Sequence, residues 1–382
     1  MKKFKNKIAS VLYELILGVV KISAIKTQNE SLLLIKNDEI GDYILFRNFL
    51  KDIRKSKKYE GYQITLLGNI IWKQLFDEFD NAYVDEVIWI EKKKFQKDLR
   101  YRFALLKTIR KKGFSEVVNC IYSRNILTDE CFVVAAGASC AIGMANKTDN
   151  FHGRKNANYL YNRLLDTGSD IQFDIYRNEK FISQLLDENK NKLNTSIFFD
   201  LKENEIMSDS KYCVVFAGAG KQDKIWPPSY FAEVINYIHE KYKLDIYLCG
   251  GPGDIKDSDA VKEIISIPVQ DYTGKTTMPQ SLEILKSAEF MLSVDTGSVH
   301  MGAGVKCPVI ALYSGRDYGR FAPYPTEIFD KFYSIFSCNV DKVFKENYEE
   351  LKNPDKFPFS EIKNIPPGKV FPYIDLVLSK SA

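Results

Sequence analysis

Residues 292–313 read LSVDTGSVHMGAGVKCPVIALY: an apolar strand, an Asp-Thr-Gly turn, a small-residue helix carrying His300, and a second apolar strand from Pro308 to Tyr313. A helix joining two such strands is the crossover of a parallel α/β sheet. The first strand, Glu289 to Val294, delivers Asp295, Thr296 and Gly297 to its carboxyl end, where open sheets bind ligands. The opening N–H groups of the next helix have no partner within it and suit an anion. Gly302, Ala303 and Gly304 let that helix lie close to the sheet. A nucleotide diphosphate fits such a seat.

The strand–helix alternation extends through most of the chain. Ser31–Lys36 (SLLLIK) is continuously apolar up to its last residue, as a strand buried on both faces must be. It ends in Asn37-Asp38-Glu39-Ile40-Gly41-Asp42, ahead of a helix expected over Tyr43–Lys55. Strands at Tyr62–Leu67, Glu86–Trp89 and Glu116–Cys120 alternate with helices at Ile71–Phe79, Phe95–Lys111 and Ile126–Ala136, which predicts a doubly wound first domain. Asp42, at the first strand end, is read either as an ordinary helix-start acid or as a general base.

A polar stretch, 187–210, reads as a linker. Beyond it Lys211–Phe216 (KYCVVF) is a strand followed by Ala217-Gly218-Ala219-Gly220 and then Lys221 to Pro228. Glycines and a lysine after a strand can cradle phosphate, although the spacing is not a Walker loop. Leu244–Cys249 is a further strand, and Asp254 just past its end is placed to hold ribose hydroxyls or to occupy a plain turn. Thr276 precedes a helix over Pro279–Ala288, which leads back to Asp295.

With 382 residues, 45% hydrophobic and 27% charged, the chain has the size of two globular domains. A net charge of +4, dispersed along the sequence, gives no argument for nucleic acid. Seven cysteines include no CxxC pair and read as buried thiols in a reducing cytoplasm. In residues 1–26, Phe4, Ile8, Val11, Leu12, Leu15, Ile16, Val19 and Val20 recur at helical spacing beside Lys2, Lys3, Lys5 and Lys7. Two readings stand level: a basic amphipathic helix on the inner face of the cytoplasmic membrane, and a helix docked on the first domain. The segment is too short in apolar residues for a span, and a signal peptide ranks third.

Five blocks together resemble glycosyltransferase family 9, typified by bacterial ADP-heptose:lipopolysaccharide heptosyltransferases. They are LLLIKNDEIGDYILFRNFLKDIRK (32–55), FAGAGKQDKIWPPSYFAEV (216–234), YLCGGPGD (247–254), TGKTTMPQSLEILKSAEFMLSVDTGSVHMGAG (273–304) and PVIALYSG (308–315). The resemblance implies an α/β chain of GT-B architecture, two Rossmann-like parallel-sheet domains facing a central cleft. The acceptor-side domain is expected over 27–186, the nucleotide-sugar domain over 211–360, and a closing helix within 361–382 returning toward the first domain. It implies inverting, metal-independent transfer of a sugar, heptose from ADP-heptose, to a lipopolysaccharide core or other surface glycan, with no resident cofactor. Asp42 falls on the family's Gly-Asp position as base. Lys224 and His300 would stabilise the departing diphosphate, and Ala219, Gly220, Asp254, Thr276, Asp295, Thr296 and Gly297 would complete the donor site. Ala219 and Gly220 stand where hydroxyl residues are common in the family, Ile225 replaces a frequent basic residue, and Cys338 stands alone where some relatives carry several cysteines. The region 151–176, with His152, Arg154, Lys155, Tyr159, Tyr161 and Arg163, is expected on the acceptor side. A nucleotide-sugar epimerase of the same architecture and a silent glycan-binding or assembly subunit are the competing readings.

Overall fold

The computed structural model describes residues 2–145, 158–168, 171–188, 193–201, 210–221, 224–337 and 361–379. His152, Arg154, Lys155 and Cys338 lie outside them. The chain divides into two compact units, Met1–Gly168 with Ile175–Asn194, and Ser169–Asp174 with Thr195–Ala382. The stretch read as a linker is thus shared between them, parting after Asn194.

The first unit opens with α1 (Lys2–Ile22) and continues β1 (Ser31–Lys36), α2 (Ile40–Ile44), α3 (Asn48–Lys55), β2 (Gln63–Asn69), α4 (Lys73–Phe79), β3 (Glu86–Ile90), α5 (Lys92–Lys97), α6 (Leu99–Lys112), β4 (Glu116–Asn119), α7 (Cys131–Ala136), β5 (Cys140–Met144), β6 (Arg163–Leu165) and α8 (Asp174–Leu186), whose first residue belongs to the second unit. The sheet order is β3-β2-β1-β4-β5-β6, and every pairing is parallel. Leu34 lies opposite Leu66 on one side and Val118 on the other. All residues of β1 and β4 are buried, which explains why their apolar runs do not alternate.

The helix expected over Tyr43–Lys55 is broken into α2 and α3. Arg47 sits at the break with its guanidinium on the buried Asp80, at 2.8 and 2.9 Å, and Asp80 also accepts from the Tyr43 hydroxyl. Likewise α5 and α6 part at Asp98, whose carboxylate caps α6 through the Arg100 and Tyr101 N–H groups; a side chain that satisfies orphan donors starts a new helix. Helix α1 docks on its own unit, with Ile16, Leu17 and Val20 packed into the core formed around Leu106, Ile109 and Phe132.

The second unit holds β7 (Tyr212–Phe216), α9 (Pro228–Tyr242), β8 (Asp245–Cys249), α10 (Ile255–Lys262), β9 (Gln270–Asp271), α11 (Met278–Lys286), β10 (Met291–Val294), α12 (Gly297–Gly304), β11 (Val309–Tyr313), β12 (Phe332–Phe336) and α13 (Phe371–Ser379). Its sheet runs β12-β11-β10-β7-β8-β9, again wholly parallel. A Cβ on Gly302 would stand 2.1 Å from the Met291 sulfur, so glycine is what lets α12 lie against β10. Helix α13 packs within the second unit. Its Ile374 and Val377 enter the same core as Val215, Ile238 and Leu292, and Asp375 accepts from the Tyr237 and Tyr242 hydroxyls and from Lys241. Among the described residues no helix is long and apolar enough to cross a membrane.

Candidate active site

Each sheet reverses its strand order once, between β1 and β4 in the first unit and between β7 and β10 in the second. Loops leaving the carboxyl ends of strands on the two sides of a reversal part in opposite directions and open a crevice. The residues singled out in the sequence fall at these ends: Asp42 follows β1, Ala219, Gly220 and Lys224 follow β7, Asp254 follows β8, and Asp295 follows β10.

In the first unit, Asp42 is half-buried in α2. Its Oδ2 accepts the Glu39 N–H at 3.3 Å, so the helix-start role is real, and any second role is performed from that position. The surroundings are charged. Asn37 is wholly buried and donates to the Thr128 carbonyl and to Asp129, Lys36 pairs with Asp38 at 2.8 Å, and Lys92 pairs with Glu39 at 3.1 Å. Burial works against the charge on Lys92, yet the carboxylates of Glu39, Asp129 and Asp38 outweigh it and hold that amine above its ordinary value.

In the second unit the structure brings Lys224 and Asp295 together. The amine lies 2.6 Å from Asp295 Oδ2 and 3.6 Å from Asp317 Oδ2, with the Lys224 side chain only 13% and that of Asp295 8% exposed. Burial pushes the Asp295 carboxyl above the usual carboxylate range, Lys224 pulls it back, and Asp317 pushes with burial. Thr296 caps α12 in extended backbone without a side-chain capping bond. Its hydroxyl is paired instead with Ser298 Oγ at 2.6 Å, and the positive end of the α12 dipole stands at the end of β10.

Asp254 is turned onto its own loop, accepting the Gly251 N–H at 2.8 Å. A Cβ on Gly218 would fall 2.3 Å from its carboxyl group, so the glycine after β7 makes room for the carboxylate after β8. Ala219 packs at the margin of the core, while a side chain on Gly220 would meet open space. Thr276 pairs with Ser281 at 2.8 Å, at the head of α11.

His300 is buried, with Nδ1 3.4 Å from the Tyr324 hydroxyl. Burial lowers its pKa to about 4; the Asp174 carboxylate opposes this and Lys224 adds to it. Near neutral pH it is therefore an uncharged imidazole rather than a cation. The unfolded imidazole binds protons near 6.5 and the folded one only near 4. The unfolded state thus takes up more protons between these values, and this contribution to stability is present above pH 6.5 and lost as pH falls through 6.5 toward 4. Chemical denaturation at pH 7.5 and pH 5 should show wild type losing about 2 kcal/mol more than His300→Asn over that interval. Parallel losses would contradict the assignment.

Three partners escaped sequence reasoning: Asp317, Tyr324, and the Asp174–Arg320 pair at 2.7 Å. Asp317, Tyr324 and Arg320 lie in the loop following β11, and Asp174 reaches this unit from a separate excursion of the chain. The charged, glycine-rich run SGRDYGR at 314–320 was the available signal for the loop; nothing local marks a pairing between positions so far apart.

A model of glycosyltransferase family 9 (heptosyltransferase) matches residues 102–349. The lipopolysaccharide core heptosyltransferase OpsX of Haemophilus influenzae is 26% identical over 135 residues, 35% of this chain and 38% of that protein. The matched segments span less than half the length of the curated relatives. Among solved structures, a family 9 glycosyltransferase from Veillonella parvula superposes with a TM-score of 0.65 at 17% identity, covering 94% of this chain and 99% of that one. Escherichia coli heptosyltransferase WaaC with ADP gives 0.60 at 18% identity, covering 92% and 98%. These likenesses and the two parallel sheets place the fold in the GT-B class.

Proposed function

Since the chain belongs to glycosyltransferase family 9, we propose that it is an inverting glycosyltransferase moving heptose from ADP-heptose to a hydroxyl of a lipopolysaccharide core or related surface glycan. The observation that carries this reading is the buried Lys224–Asp295 pair at the β7/β10 reversal, beside the start of α12. A buried amine held by two carboxylates is a cation kept in reserve. An incoming diphosphate takes over from Asp317, the longer and more exposed of the two contacts.

Asp42 takes the proton of the acceptor hydroxyl as its oxygen attacks the anomeric carbon from the face opposite the diphosphate. The carbon–oxygen bond to ADP breaks in the same displacement, and its electron pair leaves on the phosphate. Negative charge grows there in the transition state, where Lys224, neutral His300 as a donor and the α12 N–H groups stabilise it; preorganised groups of this kind contribute about 10²–10³ in rate each. Asp254 and Thr276 line the nucleoside side. The nucleotide sugar is a substrate, and the proposal calls for no resident cofactor.

A melting screen with ADP, GDP, UDP and their sugars tests the donor. ADP at about 100 times its Kd adds about 2.7 kcal/mol to the state that binds it, a rise of about 5–11 °C for a unit of this size. An equal response to GDP or UDP, or no response to ADP, would contradict the assignment.

A further inference from the structure

Helix α1 carries two apolar faces, and its own unit covers one of them. Toward α6 and α7, the Tyr13 hydroxyl donates to the Gln96 carbonyl and its ring lies 3.8 Å from the Arg102 guanidinium. Ile16, Leu17 and Val20 pack beside it, and Arg110 donates to the Lys21 and Ser23 carbonyls at 2.7 and 3.0 Å. Away from this contact Val11, Leu12, Leu15, Val19 and Ile22 are 52, 39, 61, 56 and 85% exposed. At about 100° per residue these form one stripe about 100° wide, centred roughly 140° from the docked residues.

A stripe held rigidly on a folded unit and turned to water has an interaction partner, and the charge around it selects one. Lys2, Lys3, Lys5 and Lys7 precede the stripe, Lys21 and Lys26 flank its far end, and Glu14 is the sole acid in residues 1–29. The helix is not apolar enough to cross a bilayer. We propose that α1 seats the protein on an anionic lipid surface, with the Val11–Ile22 stripe among the upper acyl chains and the lysines among the head groups. Its docked face keeps the helix fixed to the unit that carries Asp42.

The full chain is sedimented with vesicles of phosphatidylcholine alone and of phosphatidylcholine containing phosphatidylglycerol. Wild type should partition onto the mixed vesicles. Leu15→Glu/Val19→Glu should lower that partitioning at least about tenfold with an unchanged melting temperature, since both side chains are exposed. Substituting Gln for the four N-terminal lysines should weaken binding to the mixed vesicles and leave the melting temperature unchanged. Equal sedimentation of wild type and the Glu variant, or no sedimentation of wild type, would overturn the proposal. So would a wild-type dimer, seen by light scattering and abolished in the variant, that ignores vesicles, because it would assign the stripe to a second copy of the chain.

Discussion

Replacing Asp42 by Asn should lower kcat/KM for transfer by about 10²–10⁴-fold, the range of a lost general base, while ADP binding and melting temperature stay near wild type. The amide oxygen of Asn can still accept the Glu39 N–H that Asp42 accepts now, so the helix start survives and only proton removal is lost. Asp42→Ala removes both, adding about 1 kcal/mol of destabilisation. The pair of variants separates the two roles. A D42N protein that transfers at the wild-type rate would leave Asp42 as a helix cap and nothing more.

Replacing Lys224 by Met should have two consequences of different kinds. Transfer should fall by about 10²–10³-fold, as for a missing donor at a developing anion. Stability should also fall by about 3–5 kcal/mol, because Asp295 is then left buried without its closest counter-charge. The sign of the pH dependence follows from Asp295. Its folded carboxyl already lies above the usual range and would rise further without the amine, so the penalty is smallest in acid and grows as pH rises through that value. Adding Asp295→Asn to Lys224→Met should restore most of the stability and none of the transfer. Recovery of transfer in the double variant would show that the amine serves only the fold.

The central strands were legible because burial on both faces leaves continuous apolar runs. β1 occupies the predicted residues, and β7 and β10 differ from expectation only at their starting residues. β6 and β9 are the short partners at sheet edges, three and two residues long, too brief to leave a pattern. Helix breaks were missed where tertiary pairing imposes them, as Arg47 on Asp80 does, although the cap at Asp98 was written in the sequence. For the site, motifs located Lys224, Asp295 and His300 one by one, while the Lys224–Asp295 contact and the low pKa of His300 depend on burial that no local sequence records. The tail shows the same limit. Ile374 and Val377 mark an apolar face on α13, but their core partners Val215, Ile238 and Leu292 lie far away in sequence.

The most direct test of sugar transfer is the fate of ADP-heptose incubated with the full chain and a heptose-free lipopolysaccharide core, followed by nuclear magnetic resonance of the anomeric carbon. Inverting transfer predicts one ADP released for each heptose added to the core, at the opposite anomeric configuration, with both signals lost in D42N. Transfer with retained configuration, or an altered nucleotide sugar with no heptose on the core, would contradict it.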